Sequence, residues 1–323
     1  MEDYATKYAG KSVAITGSGG YLAPAIIDAL GENPKCIYSI SSQDLESRPG
    51  IVNVRSDIRT ADCWKEIVAT ADIIFHLASN TSVYAAIKDP ASCLASTVQP
   101  ISHLVWASKL LDRRPRVVLA STVTQYGITN NLPVIEESPL NPITNYDLHK
   151  LFSEKQLLLA SSQGIIDGVS LRLANVYGPS SNANGVGDRG ILNKVTRSAL
   201  EGAKLKVYGD GSYVRDYIYI ADVARAFLAA GVSESTVGCP YNIGAGRGIR
   251  IREAFSLVAK QAENITGRKV SIEDVPWPEG TDPIEYRNFV ADISAINAAT
   301  EWSPLISFKQ GVDKMIRSFY QNE

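Results

Sequence analysis

Residues 11–30 read KSVAITGSGGYLAPAIIDAL: a short β-branched run, a glycine-rich turn and an apolar helical pattern, in that order. Strand, glycine turn and helix together are the context that a dinucleotide-binding fingerprint requires. Gly17 permits the tight turn, Gly20 lets the backbone approach a pyrophosphate at the helix N-terminus, and Ala23 is small enough for helix to pack on strand. Tyr21 and Leu22 complete the turn and are expected at the same ligand.

Downstream, the pattern alternates. CIYSIS (36–41) reads as the second strand, and its end is where an acidic residue would bind the adenosine ribose hydroxyls. Ser41, Ser42 and Gln43 stand there instead, with Asp44 further along and Arg48 in the loop. Hydroxyls with an arginine suit a 2′-phosphate, which favours NADP(H); NAD(H) is the alternative if Asp44 or a backbone group holds the ribose. NVRS leads to Asp57 and Ile58, at a strand end where an adenine is bracketed. ADIIFHLASN reads as a buried strand ending at Leu77 and Ala78, with His76 inside it as a core residue. Residues 92–111 carry a long helical pattern whose apolar face is core or subunit interface.

RVVLAST is the next strand, and after a proline-marked loop comes NYDLHKLFSEK. On a helix, the spacing of Tyr146 and Lys150 puts phenol and ammonium on one face, one turn apart. A free phenol titrates near about 10, and a neighbouring cation favours its phenolate form. GVSLRLANVYGPS is a further strand. The chain then turns loop-rich through Gly185, Gly187 and Gly190 to the helix NKVTRSALEG, followed by YGDGSYVRDYIYIADVARAF and YNIGAGRG. Strands alternating with helices predict a parallel, doubly wound α/β sheet, with ligands beyond the strand C-terminal ends. Residues 1–178, with 215–245 returning to them, are expected to form the dinucleotide-binding Rossmann domain. Residues 179–214 and 246–323 are expected to form a smaller, interwoven substrate domain.

Composition narrows the partners. Of 323 residues, 32 are basic and 34 acidic, so the net charge of -2 gives no global attraction to nucleic acid or an anionic membrane. MEDYATKYAGKSV has no basic region leading into an apolar run, and no stretch approaches the ~18 apolar residues of a membrane span. A cytoplasmic location is the expectation. Cys36, Cys63, Cys93 and Cys239 show no C-x-x-C spacing, and His76, His103 and His149 form no ligand cluster, so no metal is expected.

TGSGGYLA, HLAS, LASTVTQYG, the Tyr146 and Lys150 pair, LRLANVYGP, YGDGSYVRDYIYIADVARA, YNIGAGRG and the late EWSP together resemble the extended short-chain dehydrogenase/reductase family, in its nucleotide-sugar epimerase, dehydratase and reductase group. The resemblance spans nearly the whole chain. It implies a Rossmann domain with a smaller C-terminal domain for a nucleoside-diphosphate sugar, and a homodimer built on helices at 92–111 and 146–160. By it, Thr122 is the catalytic threonine, Tyr146 the acid/base and Lys150 the residue that tunes it. Thr124, Gln125 and Asn175 are expected at the substrate, and Arg215 and Arg287 are expected to clamp its diphosphate.

Departures from the family pattern separate its branches. The elimination branch follows its threonine with an Asp-Glu pair, where this chain has Val123 and Thr124, and no glutamate for decarboxylation lies between Ser121 and Tyr126. What remains is hydride and proton exchange at one sugar carbon. Ser41, Ser42 and Arg48 lean the reading to an NADPH-dependent 4-ketoreductase, with an NAD-dependent 4-epimerase as the close alternative. More remote are an enzyme of a non-nucleotide alcohol or ketone and a non-catalytic nucleotide-binding module.

Overall fold

The computed structural model describes residues 3–180 and 190–321; Gly185 and Gly187 lie outside the described residues. The strands are β1 (Ser12–Thr16), β2 (Cys36–Ser41), β3 (Ile51–Arg55), β4 (Ile73–His76), β5 (Arg116–Thr122), β6 (Asp167–Leu173), β7 (Asn175–Tyr177), β8 (Leu205–Tyr208), β9 (Val214–Tyr219), β10 (Pro240–Ile243), β11 (Gly248–Arg250) and β12 (Ile272–Val275). The helices are α1 (Ala23–Leu30), α2 (Ala61–Thr70), α3 (Val83–Lys88), α4 (Pro90–Thr97), α5 (Gln99–Leu110), α6 (Asn145–Ser162), α7 (Ile191–Leu200), α8 (Ile220–Val232), α9 (Ile251–Thr266), α10 (Ser294–Thr300) and α11 (Phe308–Gln321).

The central sheet has seven strands in the order β10-β6-β5-β4-β1-β2-β3, every pair parallel. This is the doubly wound Rossmann arrangement. Its middle strands read as continuous apolar runs because helices cover both faces: β1 and β4 are buried at every position. Strand order reverses between β1 and β4, so the turn leaving β1 opens into the crevice where such sheets bind ligands. On one face, Ile26, Ile27 and Leu30 of α1 pack with Val223 and Phe227 of α8 against β1 and β4. On the other, Trp64 and Ile67 of α2 pack with Ile101 and Leu104 of α5.

A second apolar core gathers α7, α9 and α11 with Leu205 and Val207 of β8 and Tyr217 of β9. Around it lie a three-stranded sheet, β11-β9-β7, and a two-stranded pair, β12-β8. The late chain does not stay on one side. Ile296 of α10 and Trp302 belong to the core beneath the central sheet, whereas Val312 and Phe319 belong to the second core. Trp302 is the tryptophan of EWSP: its indole N–H donates to the Asp222 carbonyl at 3.1 Å, while the Asp222 carboxylate accepts the N–H groups of Leu305 and Ile306. The RDY of β9 has a comparable tie. Asp216 accepts the N–H groups of Ala245, Gly246 and Ala291, which pins the chain after β10 to β9, and burial pushes its carboxyl up to about 6.

Candidate active site

Helix α6 starts where Thr144 Oγ1 accepts the Asp147 N–H at 3.2 Å, a side-chain cap that fixes the first turn. From there Tyr146, Lys150 and Glu154 follow one another at a spacing of four along one stripe. Lys150 is buried, and its ammonium donates to the Ala120 carbonyl of β5 at 2.8 Å. Glu154 is wholly buried and meets Arg172 of β6, with N–H donors at 2.6 Å to Oε1 and 3.1 Å to Oε2. Ser170 and Gln125 complete its shell at 2.8 Å and 3.1 Å. The helix is thus bolted to β5 and β6, with Tyr146 beside Thr122 at the end of β5.

Burial lowers the Lys150 pKa from 10.5 to about 8. Because the folded value lies below the unfolded one, the unfolded chain binds more protons between them, and stability rises with pH across that window. The contribution is present above 10.5 and lost as pH falls through about 8. Denaturant titrations at about pH 8 and about pH 10 should show the stability of the unaltered protein rising relative to Lys150→Met; a constant difference would refute the assignment.

A cavity of about 220 Å³ opens at the end of β5. Thr122, Tyr146, Asn175, Tyr217 and Arg287 bring polar groups to it, and none of its described lining residues is Asp or Glu. Among the described residues, Asn175 Oδ1, Tyr217 OH and Arg287 Nε are buried without a hydrogen-bond partner. Such atoms cost free energy unless a ligand or solvent satisfies them. Thr122 Oγ1 lies 2.9 Å from Thr124 Oγ1, which donates to Asp147 Oδ1.

Arg215 and Arg287 lie together, buried, and neither forms an ion pair among the described residues. Arg215 donates to the Arg287 carbonyl and, at 2.7 Å, to the Glu285 carbonyl, while Arg287 donates to the Ile284 carbonyl at 2.8 Å. Burial, with repulsion from Arg287, lowers Arg215 to about 10, and burial lowers Arg287 as well. Two buried cations answered mainly by carbonyl oxygens form a site suited to an anion.

The glycine turn fits a dinucleotide. Gly17 has φ of +75°, and a Cβ there would come within 2.8 Å of the Ala78 backbone at the exit of β4. A Cβ at Gly20 would come within 2.9 Å of the Gly17 carbonyl. Beyond the turn, Leu22 gives α1 no side-chain cap, so first-turn N–H groups remain for an anion. Leu77 N–H donates to the Thr16 carbonyl and Ala78 N–H to Thr16 Oγ1, each at 3.3 Å, which sets the β4 exit beside the turn. Ser41 is buried at the end of β2, its Oγ accepting the Gln43 N–H at 3.0 Å, and Ser42 is exposed.

Several expectations change. Gln125 does not reach the substrate cavity: the short 3-10 turn Val123–Tyr126 carries it inward, where it is wholly buried against Glu154. The Arg48 guanidinium is engaged by Asp28 of α1, in an exposed pair at 2.6 Å. Arg215 is not among the cavity-lining residues and supports the segment carrying Arg287. The Asp57 carboxylate pairs with Arg59 at 2.6 Å, and the Ile58 carbonyl accepts the Trp64 indole N–H at 2.7 Å. His76, by contrast, is the core residue its apolar strand implies, 2.7 Å from Thr16 Oγ1, and burial depresses its pKa to about 3.

Two features were missed, one lining the cavity and one behind it. Tyr217 shares the alternation of VRDYIY with Arg215, which was the available signal. Asp147 stands three residues after Thr144, a capping-box spacing.

Residues 13–244 match the model of the NAD dependent epimerase/dehydratase family. The chain is 27% identical over 319 residues to UDP-glucose 4-epimerase of Mycolicibacterium smegmatis, covering 96% of this chain and 98% of the relative. It is 26% identical over 329 residues to UDP-N-acetyl-alpha-D-glucosaminuronate decarboxylase of Bacillus cytotoxicus, covering 97% and 99%. Among solved structures, UDP-glucose 4-epimerase of Thermotoga maritima with UDP-glucose superimposes with a TM-score of 0.85 at 26% identity, covering 96% of this chain and 99% of that one.

Proposed function

Because the chain belongs to the NAD dependent epimerase/dehydratase family and is an enzyme of the extended short-chain dehydrogenase/reductase type, we propose that it is a UDP-sugar 4-epimerase that retains and re-uses NAD. The observation that carries the reading is the cavity lining. Tyr146 and Thr122 supply proton-handling groups, Arg287 supplies a buried cation, and no described lining residue offers the carboxylate that elimination needs. Full-length similarity to a 4-epimerase supports the epimerase over the reductase to which Ser41 leaned.

Bound at the glycine turn, the dinucleotide supplies reversible hydride exchange at the sugar carbon. The chain's own residues handle the oxygen. Tyr146 accepts the proton of the sugar hydroxyl as the carbon becomes a ketone, then returns it to the oxygen on the epimerised carbon. Lys150, one turn on and held by the Ala120 carbonyl, places its ammonium where it favours the phenolate when protonated. Thr122 orients the reacting oxygen at the end of β5, and Asn175 and Tyr217 hold the sugar or its phosphates. Arg287 meets the diphosphate while Arg215 steadies its loop.

Incubation with UDP-glucose should give its C4 epimer without added cofactor, and heat-released nucleotide from the purified protein should be NAD. No epimer with any UDP-hexose would overturn the reading. A second reading keeps one observation in its favour: β2 ends at Ser41 with no acid for a ribose, which suits NADP(H). An empty site that takes up NADPH more tightly than NADH, with a 4-keto sugar reduced, would move the assignment to the reductase. We further propose a homodimer across α5 and α6, whose exposed Trp106, Leu110, Phe152 and Leu159 form an apolar surface.

A further inference from the structure

The hydroxyl chain behind Thr122 has a direction. Asp147 is wholly buried, and each carboxylate oxygen takes a threonine proton: Oδ2 from Thr144 Oγ1 at 2.7 Å and Oδ1 from Thr124 Oγ1. Burial pushes this carboxyl up, while the two hydroxyls and the nearby Arg287 draw it back. A threonine hydroxyl carries one proton. With the Thr124 proton committed to Asp147, the 2.9 Å contact between Thr124 and Thr122 closes only if Thr122 donates. Thr122 Oγ1 also receives the Thr124 N–H at 3.2 Å. Having spent its own proton, Thr122 offers the cavity a lone pair.

We propose that Asp147, acting through Thr124, is a positioning residue that fixes the Thr122 hydroxyl as a hydrogen-bond acceptor, so that the resting site selects a sugar hydroxyl over a carbonyl oxygen. The inference rests on the 4-epimerase reading and deepens it. An epimerase begins and ends with an alcohol, and an acceptor at Thr122 stabilises both ends while giving the ketone between them no donor from this side. Asp147→Asn tests the direction with little change in shape. Its amide donates to Thr124 Oγ1, Thr124 then donates to Thr122, and Thr122 is left with a proton for the cavity.

The experiment compares the affinity for UDP-glucose with that for its 4-deoxy-4-fluoro analogue, which has no proton to donate at that position. Calorimetric titrations use the full chain carrying Tyr146→Phe, so that ligand is not converted and the phenol makes no contribution. With Asp147 intact, the fluoro analogue should bind roughly fivefold to tenfold more weakly, the worth of one hydrogen bond. Adding Asp147→Asn should bring the two affinities together. Thr124→Val should do the same by removing the relay, and Thr124→Ser should restore the discrimination; this pair decides the matter if Asp147→Asn does not fold. A discrimination unchanged in both Asp147→Asn and Thr124→Val overturns the inference while leaving the epimerase reading intact. Failure of the unaltered protein to epimerise any UDP-hexose removes the reading itself and the inference with it.

Discussion

Tyr146→Phe is expected to lower turnover of the UDP-sugar by about 10²-fold to 10⁴-fold, the range for loss of a positioned acid/base group. The substitution keeps the ring at the cavity and removes only the hydroxyl, so the dissociation constants of nucleotide sugar and cofactor should change little. A fall in kcat with little change in substrate binding would mark an interaction made in the transition state. The pairing of phenol and ammonium stands or falls with this result. Near-normal turnover would leave Lys150 as a structural clamp on Ala120 and would move the proton transfer elsewhere.

Glu154→Ala carries the largest expected cost to the fold. Arg172 and Glu154 are almost wholly inaccessible to solvent, at 2% and 0% exposure, so removing the carboxylate leaves a guanidinium uncompensated in a low-dielectric interior. Breaking such a pair costs about 3–5 kcal/mol. The midpoint of denaturant unfolding should fall accordingly. The double substitution Glu154→Ala with Arg172→Met should recover part of the loss, because it removes the stranded charge. Recovery should be incomplete: Arg172 also donates to Tyr126 OH at 2.6 Å and to the Glu136 carbonyl at 2.9 Å, and both acceptors would lose a donor. An unfolding midpoint unmoved by Glu154→Ala would mean that the pair contributes nothing net.

What was legible in the chain was local. The cradle at Gly17 and Gly20 and the stripe of Tyr146 and Lys150 are set within a few residues by turn geometry and helix period, and the parallel sheet follows from the alternation of elements. What escaped depends on distant partners. Gln125 is expected at the substrate by the family resemblance, but Glu154, 29 residues away, captures its amide. The guanidinium of Arg48 is engaged by Asp28 across 20 residues, an interaction that no strand-end rule contains. Asp147 carries no local signal beyond its place in the first turn of α6; its hydrogen bond with Thr124, 23 residues upstream, forms only because β5 and α6 pack side by side. Tyr217 was legible in principle, since β9 turns alternate side chains to one face and Tyr217 shares that face with Arg215.

The split of the late chain between two cores bears on how the protein is made. Thr122, Tyr146 and Lys150 are synthesised well before Arg287 and the α10 segment that closes the first core. N-terminal portions of a growing chain fold first where they can. Here the first core still lacks Ile296 and Trp302, and the second lacks Val312 and Phe319, when α9 leaves the ribosome. A ribosome stalled after α9 would therefore display the groups that move protons without the cation that holds the substrate.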